Sequence, residues 1–217
     1  MPGPKKHVPM QLPLRDYERA FRVIHSVVEA SDRQATRACI LLSCAGAYLL
    51  KKFYNIPCRV VAGAALYRVG PNEVDLAVIG AMRDGHPFSD RENFHMWIQT
   101  ETHAIDFQAP VFREAIGDMI GGFKIPRLMF QRGILEQCDG NFELLGDFDL
   151  FPNIELTEEL TEAFFSRNEG PDLVMCCESW FTRPPKPIQR DLALASSDGI
   201  IKKISLSPIR LTGAWGR

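Results

Sequence analysis

The most restrictive feature of the sequence is an uncharged, largely apolar stretch at residues 38–50. A helix formed by such a stretch has no polar face, so most of its surface must be buried inside the protein. Lys51 and Lys52 follow at its C-terminal end, and Pro57 then disfavours helical backbone at the residue before it. The β-branched residues after Pro57 favour a strand. The sequence therefore predicts a buried central helix that leads into a strand.

The segments around this helix predict an α+β protein. Residues 14–30 place apolar side chains at three- and four-residue steps, which is typical of an amphipathic helix. Strand-like runs follow the central helix at residues 59–69, 73–79 and 93–100. We therefore expect the central helix to pack on an antiparallel β-sheet.

The chain length and composition allow one domain with a full hydrophobic core, since 46% of the 217 residues are apolar. Within it we expect a flexible N-terminal arm at residues 1–13 and an α+β core at residues 14–110. Residues 111–217 are predicted to be a C-terminal helical extension that packs on the core. The residues that favour helices there are 112–120, 155–165 and 172–181.

Several classes of protein are disfavoured by charge and cysteine content. The formal charge of −2, with no basic block, lacks the electrostatic signature of a nucleic-acid binder. No apolar run reaches the roughly 18 residues that a membrane span needs, and the N-terminus lacks the apolar region of a secretory signal. The six cysteines have no regular spacing, which favours reduced thiols in a cytoplasmic protein over disulfides or a metal site. We expect no cofactor.

Cys39 is the candidate nucleophile because it lies close to the start of the central helix. The N–H groups and dipole of a helix N-terminus stabilise a thiolate, and the same N–H groups can bind the oxyanion of a tetrahedral intermediate. Thr36 would cap a helix that begins just before Cys39. Ser31 or Asp32 would instead cap a longer helix and leave Cys39 in its second turn.

The candidate base and its partner come from the stretch 94–107. If this stretch is a hairpin with Thr100 and Glu101 as its loop, His95 lies opposite Asp106 on one face of the sheet. Opposed residues have Cβ atoms about 4.5–5.5 Å apart, so the carboxylate can reach the imidazole and fix its tautomer. His103 then points to the other face and is structural. A longer loop would shift the register and make His103 a candidate for the base.

This order of residues resembles that of a known superfamily. Cys39, the segment 55–63 (Asn-Ile-Pro-Cys-Arg-Val-Val-Ala-Gly), the His95-x-Trp97 pair and Asp106 are similar to the transglutaminase-like and arylamine N-acetyltransferase-like branch of the papain-like cysteine enzymes. The resemblance covers residues 32–110 and extends to an uncharacterised bacterial family grouped with these enzymes. It implies a papain-like fold with Cys39 as nucleophile, His95 as base and Asp106 as the residue that orients the base.

Two positions bear on this assignment. Cys44 is the competing nucleophile, but it lies about 140° around the helix from Cys39, so both thiols cannot face His95. The spacing to the segment 55–63 favours Cys39. Asn55 stands where the superfamily usually has glycine.

The resulting hypothesis is a cysteine-dependent acyl-transfer enzyme acting on a small-molecule or peptide amide, ester or thioester. Water as acceptor would make it a hydrolase, and an amine would make it an acyltransferase. The Cys39 N–H and Gln34 are the proposed oxyanion donors, and Trp97 either covers the histidine or is a core residue. The alternative is a non-catalytic binding or scaffold protein that retains the fold.

Overall fold

The computed structural model describes residues 9–31, 38–72, 75–117, 119–120, 123–167, 169–195 and 201–216. The helices are α1 (Leu14–Ala30), α2 (Ala38–Tyr54), α3 (Phe112–Ile116), α4 (Ile154–Phe165) and α5 (Glu169–Trp180). The strands are β1 (Arg59–Arg68), β2 (Leu76–Ile79), β3 (Ala81–Arg83), β4 (His86–Phe88), β5 (His95–Gln99), β6 (His103–Asp106), β7 (Met119–Ile120), β8 (Phe123–Lys124), β9 (Phe130–Gly133), β10 (Phe148–Pro152), β11 (Asp191–Ala195) and β12 (Ile201–Ser205).

The central sheet is antiparallel and has the strand order β10-β1-β5-β6-β9. The long strand β1 organises it, because β5 pairs with its first half and β2 with its second half along the same edge. Its other edge pairs with β10. The protein is therefore a mixed α+β structure with helices packed on an antiparallel sheet, as the sequence predicts.

Four of the described helices cover one face of the sheet and form the helical core. α1, α2, α4 and α5 all contribute buried apolar side chains to it. The sheet contributes every second residue of its strands, among them Met96 and Ile98 from β5 and Ile105 from β6. Almost every side chain of α2 from Ala38 to Leu50 is buried, which explains why this stretch carries no charge.

The opposite face of the sheet carries the aromatic core. Its buried side chains include the strand residues Tyr67, Trp97 and Phe130. Phe112 of α3 and Trp215 near the C-terminus cover it from outside the sheet. The backbone N–H of Trp215 donates to the carbonyl of Met129 at 2.9 Å, so the C-terminal segment packs against the sheet.

α2 runs alongside β5 in the same direction. The Ser43 hydroxyl donates to the carbonyl oxygen of Met96 at 2.9 Å. One turn later, a Cβ at Gly46 would lie 2.8 Å from Cδ1 of Ile98 and 2.5 Å from Cδ2 of Phe107, so only glycine allows this close approach. The start of α2 consequently lies at the start of β5, where His95 is the first residue.

Asn55 ends α2 in the left-handed conformation, with a φ angle of 55°. The next residue, Ile56, donates its N–H to the carbonyl of Leu50 at 3.2 Å, which closes the helix end. Glycine and asparagine are the residues that adopt this conformation most easily. Asn55 thus does what glycine would do at this position.

The C-terminal half is more than a helical extension. It supplies α4 and α5, close to the predicted 155–165 and 172–181, but it also supplies β9 and β10 to the central sheet. The β10 segment, Phe148–Pro152, is only five residues long, contains one acidic residue and ends in proline, so it carries no clear strand pattern. Its pairing with β1 is a long-range contact that local sequence does not reveal.

The N-terminal arm is anchored before residue 13. Leu12 is fully buried, its N–H donates to Oε1 of Gln131 at 3.0 Å, and its carbonyl accepts from Nε2 of the same side chain at 3.2 Å. The predicted arm therefore includes residues that belong to the folded body. Residues 1–8 lie outside the described part of the chain.

None of the described helices is long and apolar enough to span a membrane. Within the same residues, no group of three or more His, Cys, Asp and Glu side chains is arranged to hold a metal ion.

Candidate active site

Cys39 lies in the first turn of α2, next to the imidazole of His95. The thiol comes from the helical core, whereas His95 projects from the face of β5 that carries Trp97 and the aromatic core. The two meet because both are at the end of the structure where α2 and β5 begin. Residues 32–37, which include Thr36 and Gln34, lie outside the described residues, so neither the helix cap nor the second oxyanion donor is tested.

The hairpin that carries the histidine and the carboxylate has a different register from the one predicted. Ile98 pairs with Ile105 and Gln99 with Ala104, so the loop is Glu101-Thr102 and not Thr100-Glu101. The reason is Thr100, whose hydroxyl accepts the N–H of His103 at 2.9 Å and that of Thr102 at 3.3 Å. Such side-chain bonds to nearby backbone stabilise tight turns.

The two-residue shift keeps His95 and Asp106 on the same face of the sheet. They are diagonal neighbours instead of directly opposed ones, a separation that aromatic and long side chains still bridge. Nε2 of His95 lies 2.7 Å from Oδ2 of Asp106. Since Nε2 is used for the carboxylate, Nδ1 is the ring nitrogen that remains for the Cys39 thiol. His103, three residues before Asp106, points to the other face, where its Nδ1 lies 2.8 Å from the Thr102 hydroxyl.

The charge of the site favours a protonated imidazole. Burial by itself would lower the pKa of His95, but the negative charge of Asp106, its hydrogen bond and the adjacent Cys39 thiol together outweigh burial and raise the pKa to about 10. The ring therefore holds a proton at neutral pH. An imidazolium beside a sulfur atom is the arrangement that stabilises a thiolate.

Asp106 is held by groups that sequence reasoning missed. The Tyr67 hydroxyl donates to Oδ2 at 3.0 Å, and the backbone N–H of Gln108 donates to Oδ1 at 2.8 Å. The Tyr17 hydroxyl donates to the backbone carbonyl of Asp106. Burial, followed by the charge of Asp106, raises the pKa of Tyr67 well above its usual value, so this phenol stays a donor. Tyr67 is on β1, two strands away from Asp106, so the local sequence does not reveal their contact. The sequence offers one hint, which is that the hydroxyl of a buried tyrosine needs a hydrogen-bond partner.

Three aromatic rings surround the imidazole. The Trp97 ring lies nearly parallel to it, with centroids 6.2 Å apart, and Tyr67 meets it edge-on at 5.9 Å. The third ring is Phe112, whose centroid lies 6.3 Å from the centroid of the imidazole. Trp97 itself is 1% exposed and packed in the aromatic core, so it both flanks the histidine and serves as a core residue.

Cys44 lies away from this constellation. It is buried in the helical core, and burial raises the pKa of its thiol to about 12. Ser43, the residue before it, is the one that faces β5. The geometry of α2 therefore favours Cys39 over Cys44 as the reactive thiol.

The three side chains are buried: Cys39 is 1% exposed, and His95 and Asp106 are 0% exposed. Burial strengthens the electrostatic interactions among them because water does not screen the charges. It also means that a substrate reaches the thiol only if neighbouring groups move aside.

Replacing Tyr67 with phenylalanine is expected to lower the free energy of unfolding by about 1.5–3 kcal/mol, the usual contribution of a hydrogen bond to a charged group. The substitution removes one donor to Asp106 and little volume. Chemical denaturation measures the loss. Tyr54→Phe is the matched control, since that half-buried hydroxyl donates to the more exposed Asp16, and we expect it to cost less. Equal losses in both variants would contradict a special role for Tyr67.

The fold and the site together define an α+β protein with a buried cysteine, histidine and aspartate in contact. Residues 13–215 match a family described as "Protein of unknown function (DUF2026)", and the chain belongs to that family. No curated protein matches the chain. A crystal structure from structural genomics is similar, with 26% sequence identity and a TM-score of 0.83 over 96% of this chain and 98% of the other.

Proposed function

We propose that this protein is a cysteine-dependent acyl-transfer enzyme with Cys39 as nucleophile, His95 as acid and base, and Asp106 as the residue that orients and charges the histidine. The observation that carries the proposal is the position of the His95 ring. Its Nε2 is hydrogen-bonded to the Asp106 carboxylate, and the Cys39 thiol lies next to the ring. No one of these residues would suggest catalysis alone, because buried cysteines are common.

The reaction begins from a thiolate and an imidazolium. The sulfur attacks the acyl carbon of an amide, ester or thioester, and the carbonyl oxygen becomes an oxyanion that the Cys39 N–H at the start of α2 can bind. The imidazolium donates its proton to the leaving amine, alcohol or thiol as the bond to the acyl carbon breaks. This leaves an acyl-thioester on Cys39 and a neutral histidine.

The second half of the reaction returns the enzyme to its starting state. Neutral His95 removes a proton from water, or from an acceptor amine, which attacks the thioester carbon. The thiolate leaves, the acyl product is released, and the imidazolium is restored. Asp106 accepts from Nε2 and so keeps the ring in one orientation throughout the reaction.

The proposal includes a papain-like fold of the transglutaminase-like or arylamine N-acetyltransferase-like kind. Its support is the order of elements: a cysteine at the start of a buried helix, then a long strand, then a hairpin that carries histidine and aspartate. The antiparallel sheet against which the helix packs is compatible with that architecture.

A second candidate function is a non-catalytic binding or scaffold protein that keeps this fold. The burial of all three side chains favours it, because a working site must admit substrate.

Thiol alkylation as a function of pH separates the two functions. In the enzyme, Cys39 should react with iodoacetamide at pH 6 nearly as fast as at pH 8, since the imidazolium keeps the thiolate populated. In His95→Gln the rate at pH 6 should fall at least about tenfold and recover only toward the usual thiol range, roughly pH 8.5. Peptide mass spectrometry assigns the label to Cys39, and Cys44→Ala is the matched control. Equal rates in wild type and His95→Gln would support the scaffold.

A further inference from the structure

A pocket of about 190 Å³ lies between α4 and the segments where α2 and β5 begin. Its apolar wall includes Ile40 and Phe94, which are the chain neighbours of Cys39 and His95. Leu160 and Phe164 of α4 form the opposite wall. The pocket therefore lies between α4 and the two segments that carry the nucleophile and the base.

The mouth of this pocket carries an excess of positive charge. It is formed by Arg91, Arg167 and Glu159, and the Arg91 guanidinium pairs with the Glu159 carboxylate. That pair leaves one further guanidinium, Arg167, which is exposed just beyond the C-terminal end of α4. Among the described residues no carboxylate is paired with Arg167. A planar guanidinium at the rim of an apolar pocket suits a carboxylate group.

We propose that this pocket binds the part of the acyl substrate that has a short apolar body and a terminal carboxylate. The apolar body lies against Ile40, Phe94 and Phe164, and the carboxylate is held by Arg167 with Arg91 beside it. This inference rests on the proposed acyl-transfer function, and it narrows the substrates to amides, esters or thioesters that carry a free carboxylate on an apolar group.

The size of the pocket limits the ligand. Pockets for drug-sized ligands span about 300–1,000 Å³, so a pocket of about 190 Å³ takes a smaller group, such as a short aliphatic chain or one aromatic ring. The apolar wall selects against a highly polar ligand, and the guanidinium selects against a cationic one.

The test uses sodium hexanoate and its neutral analogue hexanamide, titrated into the full-length wild-type protein and followed by backbone amide NMR. We expect shifts at Ile40 and Phe94 and an affinity for hexanoate about tenfold higher than for hexanamide. Arg167→Gln should remove that preference. Arg59→Gln, an exposed arginine at the first residue of β1, is the matched control and should leave it unchanged.

Ala163→Trp is the second variant. This alanine lines the pocket but is exposed to solvent, so a tryptophan there should fill the pocket and abolish hexanoate binding without loss of the fold. Equal affinities for the two ligands, or unchanged binding in Ala163→Trp, would overturn the proposal. Hexanoate binding in a protein whose Cys39 forms no acyl-thioester would support the pocket and refute the acyl-transfer function. Acylation without hexanoate binding would refute the pocket alone.

Discussion

Asp106→Ala is expected to lower the free energy of unfolding by about 3–5 kcal/mol, the usual cost of breaking a buried ion pair by removing one partner. The alanine leaves the His95 ring, the Tyr67 hydroxyl and the Gln108 N–H without the acceptor that they share. None of these groups can turn to water, because the carboxylate site is fully buried. Chemical denaturation at pH 7 measures the change.

The matched control is Asp191→Ala. Asp191 forms an ion pair with the exposed Lys203 and accepts from the Ser205 hydroxyl at 2.7 Å, where strands β11 and β12 pair near the protein surface. Exposed pairs contribute little because water screens them. A loss of stability in Asp106→Ala no larger than in Asp191→Ala would contradict the central position of Asp106.

The same carboxylate makes stability depend on pH in a defined window. The folded protein raises the pKa of His95 to about 10 from an ordinary value of about 6.5. The stabilisation from its protonation is therefore fully present below pH 6.5 and is lost as the pH rises toward 10. In Asp106→Asn the negative charge that raises the pKa of His95 is removed, so the pKa falls and this loss of stability should become smaller. Denaturation curves at pH 6, 8 and 10 for both proteins give the comparison.

His95→Gln is expected to slow acylation of Cys39 by a factor of about 10²–10⁴, the usual contribution of a positioned acid and base. Glutamine is close in size to histidine but can neither hold the proton that balances the thiolate nor donate one to the leaving group. The rate of labelling by an acyl-transfer probe measures the effect. His103→Gln is the control, since that imidazole lies on the other face of β6. Comparable slowing in both variants would contradict the assignment of the base.

Much of the fold follows from local patterns in the sequence. The uncharged stretch 38–50 predicts the buried helix α2, and the apolar periodicity of 14–30 predicts α1 with the bounds that the structure has. In both cases one feature decides the outcome, namely where the apolar side chains can be buried. The strand β10 is different, because its partner β1 is distant in the chain and its own residues do not alternate clearly.

The positions of the candidate site residues also follow in part from local patterns in the sequence. Side chains alternate along each strand, and this alternation is enough to place His95 and Asp106 on the same face of the sheet. The predicted loop was wrong by one residue, which shifts the pairing register by two residues. A shift of two residues leaves both side chains on the same face, so the prediction of a shared face is unaffected. The turn itself depends on the Thr100 hydroxyl, which favours Glu101-Thr102 as the loop. Tyr67 was missed because its contact with Asp106 reaches across β5, a relation that exists only once the sheet is assembled.

The most direct test of the acyl-transfer hypothesis is to treat the wild type, Cys39→Ala and Cys44→Ala with an acyl-transfer probe and to locate the label by peptide mass spectrometry. The hypothesis of a Cys39 nucleophile predicts a thioester on Cys39 in the wild type and in Cys44→Ala, and no label in Cys39→Ala. Labelling that survives in Cys39→Ala and disappears in Cys44→Ala would contradict it.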